Sequence, residues 1–343
     1  MRTMIINPLC GHTCDENDAL WYIYPYYQQV YDYVKSKIGT QNTLYFEKEQ
    51  AVKDVIWTAH DTFKPDVVIA TGHGNYWVYT GYKLNTIYIT DMREQGFKKE
   101  WAHDKTFLVL SCRTAKELGK YFINPFTLGA KYYLGWDEDY VILVVKGRRK
   151  GSHWYETPDL LFLKPIEEAF EKVGAGEWSA EQAYEYIRRK YEEHLNNPEI
   201  PDDCKKWIEW DLKHMKLLKR EELKFKYVIK AYIPKRDGTF DEVVLAQGED
   251  WYVYPYEYAY DITIPEKDEY VDEGDGKIKV IVELVNAKGR GEAEVKVKFK
   301  REKVPPEKEY EVKVTIESPK EGQVLKYGKT YLCEFKVEIK EKK

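Results

Sequence analysis

Two short segments of the sequence place reactive side chains directly after apolar runs. His73 and Gly74 follow the run at residues 67–70, and Cys112 follows the run at residues 107–110. A cysteine thiolate is a strong nucleophile near neutral pH, and an imidazole can assist it and then protonate a leaving amine. The two residue types together therefore have the chemistry needed to cleave an amide bond.

The same segments offer backbone donors for the oxyanion that forms during such a reaction. Gly74 has no side chain, so its N–H can approach a substrate closely. The amide of Cys112, which we expect at the start of a helix, is the natural second donor. A lone Cys is commonly a buried core residue, and a His between glycines is commonly part of a turn. The expected placement of both residues at one edge of one sheet favours a reactive pair over these structural roles.

The surrounding pattern predicts the elements that position these residues. Over about the first 145 residues, short apolar runs alternate with helical patterns, which indicates a parallel sheet with crossover helices. The predicted strands lie near residues 4–6, 43–46, 66–70, 107–110, 131–135 and 141–144, with a hairpin at 76–90. Ligands bind in open α/β sheets at the carboxyl edge of the strands. His73 and Cys112 meet in one cleft if their strands are neighbours.

The pattern changes twice in the rest of the chain. Residues 156–222 are helical in period, and Ser179 with Gln182 forms a capping box. After residue 223 the period is two, and about eight strands, including a clear hairpin at 278–299, predict an immunoglobulin-like sandwich. The predicted domains are therefore an α/β domain at 1–223 and an all-β domain at 224–343. Cys204 and Cys333 fall on apolar faces and are expected in the cores.

The two reactive segments resemble a known signature. Val-Val-Ile-Ala-Thr-Gly-His73-Gly74, a hairpin, and then Phe-Leu-Val-Leu-Ser-Cys112 are similar to the two blocks of the caspase-like (clan CD) cysteine peptidases. Residues 129–136 are similar to the gingipain block after the nucleophile, and a trailing immunoglobulin-like domain is also found in gingipains. Leu110 stands where many members have an acidic residue, so a preference for cleavage after a basic residue is not implied.

The resemblance implies a fold and an activity. The fold is a caspase-like, mostly parallel sheet flanked by helices, and the activity is that of a cysteine endopeptidase without a cofactor, acting on a peptide or protein substrate. Cys112 is then the nucleophile, His73 the catalytic histidine, and the amides of Gly74 and Cys112 the oxyanion donors. The alternatives are an inactive caspase-like module that serves protein–protein contact, and a small-molecule hydrolase or transferase that uses the same pair.

Other side chains are candidates for substrate contact. Asp137, which with its two acidic neighbours follows the fifth predicted strand, either lines a pocket for Lys or Arg or belongs to a solvated acidic turn. Trp77 and Trp136 either wall a subsite or pack in the core. His12 lies in the loop after the first strand, from which it can reach the cleft.

Cys10 and Cys14 flank His12 in a C-x-H-x-C arrangement that also suggests a metal site. A structural zinc site takes about four ligands, and no second Cys/His pair lies nearby. We therefore expect a loop disulfide or two free thiols here, and no metal.

The composition limits the remaining classes of function. The net charge of −5 over 343 residues gives no reason to expect binding to nucleic acid or to an anionic membrane. No apolar run approaches the ~20 residues of a membrane span, and the N-terminus lacks a signal-peptide pattern, so a cytoplasmic protein is expected. The surface rich in Lys and Glu, with only four Met, fits a protein from a hot environment.

Overall fold

The computed structural model describes residues 1–222, 224–251, 257–263, 265, 267, 269, 279–284, 310–318 and 330–341. The chain divides into two compact units, Met1–Glu221 and Glu222–Lys343. Within the described ranges, no helix is both long and apolar enough to cross a membrane.

The first unit is built on a six-stranded sheet. The strands of the unit, in chain order, are β1 (Thr3–Asn7), β2 (Thr43–Glu47), β3 (Val67–Thr71), β4 (His73–Gly74), β5 (Val78–Thr80), β6 (Thr86–Ile89), β7 (Thr106–Leu110), β8 (Tyr132–Trp136) and β9 (Met215–Lys219). The large sheet has the order β2-β1-β3-β7-β8-β9, and every neighbouring pair is parallel except β8 with β9. The short strands β4, β5 and β6 form a separate antiparallel sheet.

Helices cover both faces of the large sheet. They are α1 (Ala19–Ile38), α2 (Lys53–Phe63), α3 (Leu118–Ile123), α4 (Asp159–Gly174), α5 (Ala180–Asn196) and α6 (Asp202–His214). Strand residues such as Ile69 and Leu108 pack with α1, α4, α5 and α6, whereas their neighbours Val68 and Phe107 pack with α2 and α3. Successive side chains of a strand point to opposite faces, so strands covered on both faces are apolar throughout. The predicted α/β class with a mostly parallel sheet is confirmed.

Local signals explain where two of the helices begin. The Asp18 side chain accepts a hydrogen bond from the Leu20 N–H and caps α1. Ser179 and Gln182 form the predicted capping box of α5, and Cys204 is buried on α6 as expected.

Two predicted elements are wrong. Residues 141–144 do not form the last strand of the sheet, because β9 occupies the position beside β8. The half-buried Ile142 and Leu143 instead pack against the core from an irregular segment. This packing explains why the run is apolar although it forms no strand. The helical period predicted over residues 156–222 does not continue to its end, because α6 ends at His214 and Met215–Lys219 form β9.

The second unit, as far as it is described, consists of two antiparallel sheets. Its strands are β10 (Lys224–Pro234), β11 (Phe240–Trp251), β12 (Glu257–Thr263), β13 (Lys279–Leu284), β14 (Tyr310–Ser318) and β15 (Thr330–Glu341). The sheet orders are β11-β10-β13 and β12-β15-β14, and both sheets contribute to one apolar core that contains Cys333. Residue 278 and residues 285–299 of the predicted hairpin lie outside the described residues. The immunoglobulin-like topology stays a prediction.

Candidate active site

The pairing of β3 with β7 brings the two reactive segments side by side. Thr71 pairs with Leu110 in parallel register, and the Gly72 N–H donates to the Leu110 carbonyl at 3.3 Å. His73 and Cys112 each follow this pair by two positions. Both lie at the carboxyl edge of the sheet, next to the point between β1 and β3 where the strand order changes direction, which is where open α/β sheets bind ligands.

The His73 ring is held by a carboxylate that the sequence reasoning missed. Its Nε2 lies 3.2 Å from Oδ1 of Asp18, a side chain with no exposed surface. The other oxygen of Asp18 accepts the N–H groups of Gly11 and His12, each at 2.8 Å. In the sequence Asp18 is recognisable only as a helix cap, and its contact with a residue 55 positions away has no local signal.

The environment of Asp18 keeps it ionised. Burial on its own raises the pKa of this carboxyl, but hydrogen bonds from His73 and from three backbone amides outweigh burial and lower the pKa well below its ordinary range. An anionic carboxylate at Nε2 favours the tautomer that carries its proton there. Nδ1 is then the ring nitrogen that can accept a proton from another group.

The absence of a side chain at Gly74 is required by its neighbours. A Cβ at this position would lie 2.4 Å from Oγ of Ser111 and 3.0 Å from the carbonyl oxygen of Cys112. Glycine therefore allows the strand that carries His73 to approach the backbone of Cys112. The oxyanion role of the Gly74 amide stays a prediction.

The expected position of Cys112 at the start of a helix is wrong. Residues 112–117 form turns, and α3 begins only at Leu118. Arg113 has a left-handed backbone with φ of 61°, and its N–H donates to the Glu138 carbonyl at 3.0 Å. A residue in this conformation cannot continue a helix from Cys112. Any oxyanion donor at Cys112 is thus an amide in a turn.

The Cys112 thiol is half-buried, and its Sγ lies 3.9 Å from the carbonyl oxygen of Tyr140. Burial raises the pKa of this thiol, and the Asp139 carboxylate acts in the same direction. At neutral pH the resting side chain is therefore a protonated thiol. Its activation requires a base such as an imidazole.

The structure separates the three candidates for substrate contact. Trp136 has no exposed surface, since β8 is covered on both faces, and the prediction that it walls a subsite is wrong. Trp77 is 54% exposed and is accessible to a ligand. Asp137 lies 2.8 Å from Nδ1 of His214 and 3.6 Å from Nζ of Lys216, so a basic substrate side chain would have to compete with these partners.

The loop after β1 lies beside the ring of His73. Cys10 and Cys14 form a disulfide, one of the two expected states. The ring of His12 lies 5.0 Å from the ring of His73. In the described part of the chain, no group of three or more His, Cys, Asp or Glu side chains is arranged to hold a metal ion.

Comparisons with known proteins give a structural match only. No protein-family model and no curated protein matches the sequence. A solved complex of the pro- and mature domains of RgpB from Porphyromonas gingivalis is similar, with a TM-score of 0.40 and 9% identity. The match covers 73% of this chain and 61% of that chain, so this chain spans less than two thirds of that structure's length.

Proposed function

We propose that the first unit is a caspase-like cysteine peptidase domain in which Cys112 is the nucleophile and His73 the general acid and base. The observation that carries this proposal is the shared register of the two residues beyond the Thr71–Leu110 pair. The buried Asp18 adds to it, because a carboxylate that fixes one imidazole nitrogen leaves the other available for proton transfer.

The proposed reaction uses these groups in sequence. Nδ1 of His73 takes the proton of the Cys112 thiol as Sγ attacks the carbonyl carbon of a peptide bond. The C–N bond then breaks, and the imidazolium gives its proton to the departing amine. Water, deprotonated by the same imidazole, hydrolyses the thioester and restores the thiol. The substrate is a peptide or protein, and no cofactor takes part.

The test is hydrolysis of a fluorogenic peptide library by the full chain and by Cys112→Ala and His73→Ala. We expect both variants to lose at least about 100-fold in kcat/KM while their far-UV circular dichroism and thermal unfolding match the parent. Cys204→Ala, which removes a buried thiol elsewhere in the first unit, is the matched control and should keep parental activity. Parental turnover by Cys112→Ala would contradict the assignment.

One observation favours a second candidate, the inactive module that serves protein–protein contact. Burial raises the pKa of Cys112, so the resting thiol is not preformed as a thiolate. A peptide-based electrophile distinguishes the two functions. Selective labelling of Cys112, abolished in His73→Ala, supports the peptidase, whereas equal and slow labelling of Cys112, Cys204 and Cys333 supports the module.

A further inference from the structure

A single peptide group joins the candidate nucleophile to a buried carboxyl group on α6. The carbonyl oxygen of Tyr140 faces the Cys112 Sγ at 3.9 Å. The N–H of the same peptide group, which belongs to Val141, donates to Oδ1 of Asp211 at 2.9 Å. Asp211 has no exposed surface, and its second oxygen has no hydrogen-bond partner among the described residues.

The segment that carries this peptide group makes further hydrogen bonds to α6 and to α4. The Trp210 indole N–H donates to the carbonyl of Asp139 at 2.9 Å, one residue before the peptide group. The Tyr140 hydroxyl donates to the carbonyl of Phe162 at 3.2 Å, which fixes the side chain but not the plane of the peptide group. The Asp211 carboxyl accepts the N–H of the Tyr140–Val141 peptide group itself.

We propose that Asp211 is a positioning residue for Cys112, and that it acts by orienting the Tyr140–Val141 peptide group so that its carbonyl accepts the thiol proton. The proposal rests on the proposed function only in taking Cys112 as the nucleophile. A carbonyl oxygen can accept a hydrogen bond from the thiol but not from the thiolate, so this contact favours the protonated side chain. A backbone hydrogen bond of Tyr140 acts in the opposite direction and lowers the pKa of the thiol, but burial outweighs it.

Charged and titratable groups lie near both Cys112 and Asp211. Besides burial, Asp139 and Asp211 raise the pKa of the Cys112 thiol and Arg113 lowers it, and the hydroxyls of Tyr140 and Tyr191 interact electrostatically with Asp211. Burial raises the pKa of Asp211 well above its ordinary value. A neutral carboxylic acid and an amide are close in size and can accept the same N–H, so Asp211→Asn preserves the contact.

The experiment measures how fast iodoacetamide alkylates Cys112 at pH 7, with peptide mapping to separate it from Cys204 and Cys333. In Asp211→Ala the peptide group loses its anchor, and we expect alkylation to be about threefold to fivefold faster than in the parent, the effect of one hydrogen bond. Asp211→Asn should alkylate at the parental rate. Glu209→Ala, an exposed carboxylate on the same helix, is the matched control.

Each outcome decides the proposal. Parental alkylation in Asp211→Ala overturns it, and so does equal acceleration in Asp211→Asn, which would assign the effect to charge. If Asp211→Ala fails to fold, Val141→Pro removes the N–H from the other end of the contact and must give the same acceleration. Alkylation needs no peptidase activity, so an inactive parent with this pattern refutes only the proposed function.

Discussion

The Nε2 atom of His73 lies 3.2 Å from the Oδ1 atom of Asp18, although 55 positions separate the two residues in the chain. The same carboxylate caps α1 through the Leu20 N–H and accepts the amides of the loop after β1. One buried side chain therefore starts a helix, shapes a loop and orients the imidazole.

Replacement of Asp18 by Asn should impair catalysis more than folding. Asn is also a good N-cap, so α1 should begin at the same residue. The amide no longer favours the ring tautomer that keeps Nδ1 free, and misorientation of a catalytic group costs on the order of 100-fold in rate. We expect kcat/KM on a peptide substrate to fall by about that factor. The midpoint of thermal unfolding should fall as well, because the NH2 group of Asn replaces one of two oxygens that both accept backbone N–H groups. Asp15→Asn, an exposed carboxylate in the same loop, should behave like the parent.

The Cys10–Cys14 disulfide should stabilise the first unit. It closes a loop of sequence separation 4, for which the reduced entropy of the unfolded chain corresponds to about 2 kcal/mol. The double variant Cys10→Ser/Cys14→Ser should lose about that much free energy in urea unfolding followed by tryptophan fluorescence. A dithiol should lower the parent to the level of the variant and leave the variant unchanged. Equal stability of parent and variant without reductant would refute this prediction.

Glu171 should make the protein less stable as the pH rises. Burial, followed by the nearby Glu167, raises the pKa of Glu171 to about 7 in the folded chain, whereas an unfolded Glu titrates near 4.3. The contribution of Glu171 to the free energy of unfolding is therefore greatest below about pH 4, and it is lost as the pH rises to about 7.

The variant Glu171→Gln lacks this titration. Relative to the parent it should gain about 1–3 kcal/mol in unfolding free energy between pH 4 and pH 8, measured by urea unfolding at both values. This gain is below the full value for such a pKa shift, because Glu171 is only half-buried and solvent screens its interactions. Glu209→Gln, which changes an exposed carboxylate on α6, should show no such gain. A parallel pH dependence of Glu171→Gln and the parent would contradict the assigned shift.

The two candidate tryptophans should respond differently to truncation. Trp77→Ala removes an exposed ring and should raise KM for peptide substrates about threefold to tenfold, the equivalent of about 0.6–1.4 kcal/mol, with unchanged stability. Tyr155→Ala, which removes a still more exposed ring elsewhere, should leave KM unchanged. Trp136→Ala should cost about 3–5 kcal/mol in stability, as expected for a large core side chain. An unchanged KM in Trp77→Ala would exclude the subsite.

Strong periodic patterns in the sequence were sufficient to predict the α/β class. The apolar runs that became β3 and β7 are buried on both faces, and such runs predict central parallel strands without knowledge of their partners. The run at residues 141–144 has the same composition, yet it is irregular, because a strand about 70 residues later pairs with β8 in its place. Which segment occupies an edge position of the sheet depends on pairing between distant parts of the chain.

The residue types of the candidate site were readable from the sequence because they depend on local order alone. A strand end followed by His73-Gly74, and another followed by Ser111-Cys112, identified the two reactive side chains. Tertiary structure decided everything that depends on distant contacts: the carboxylate of Asp18 at the imidazole, the burial of Trp136, and the contact of Asp211 with the peptide group that faces Cys112. Hydrogen bonds and packing between residues far apart leave no periodic trace in the chain, so only the fold brings these groups together.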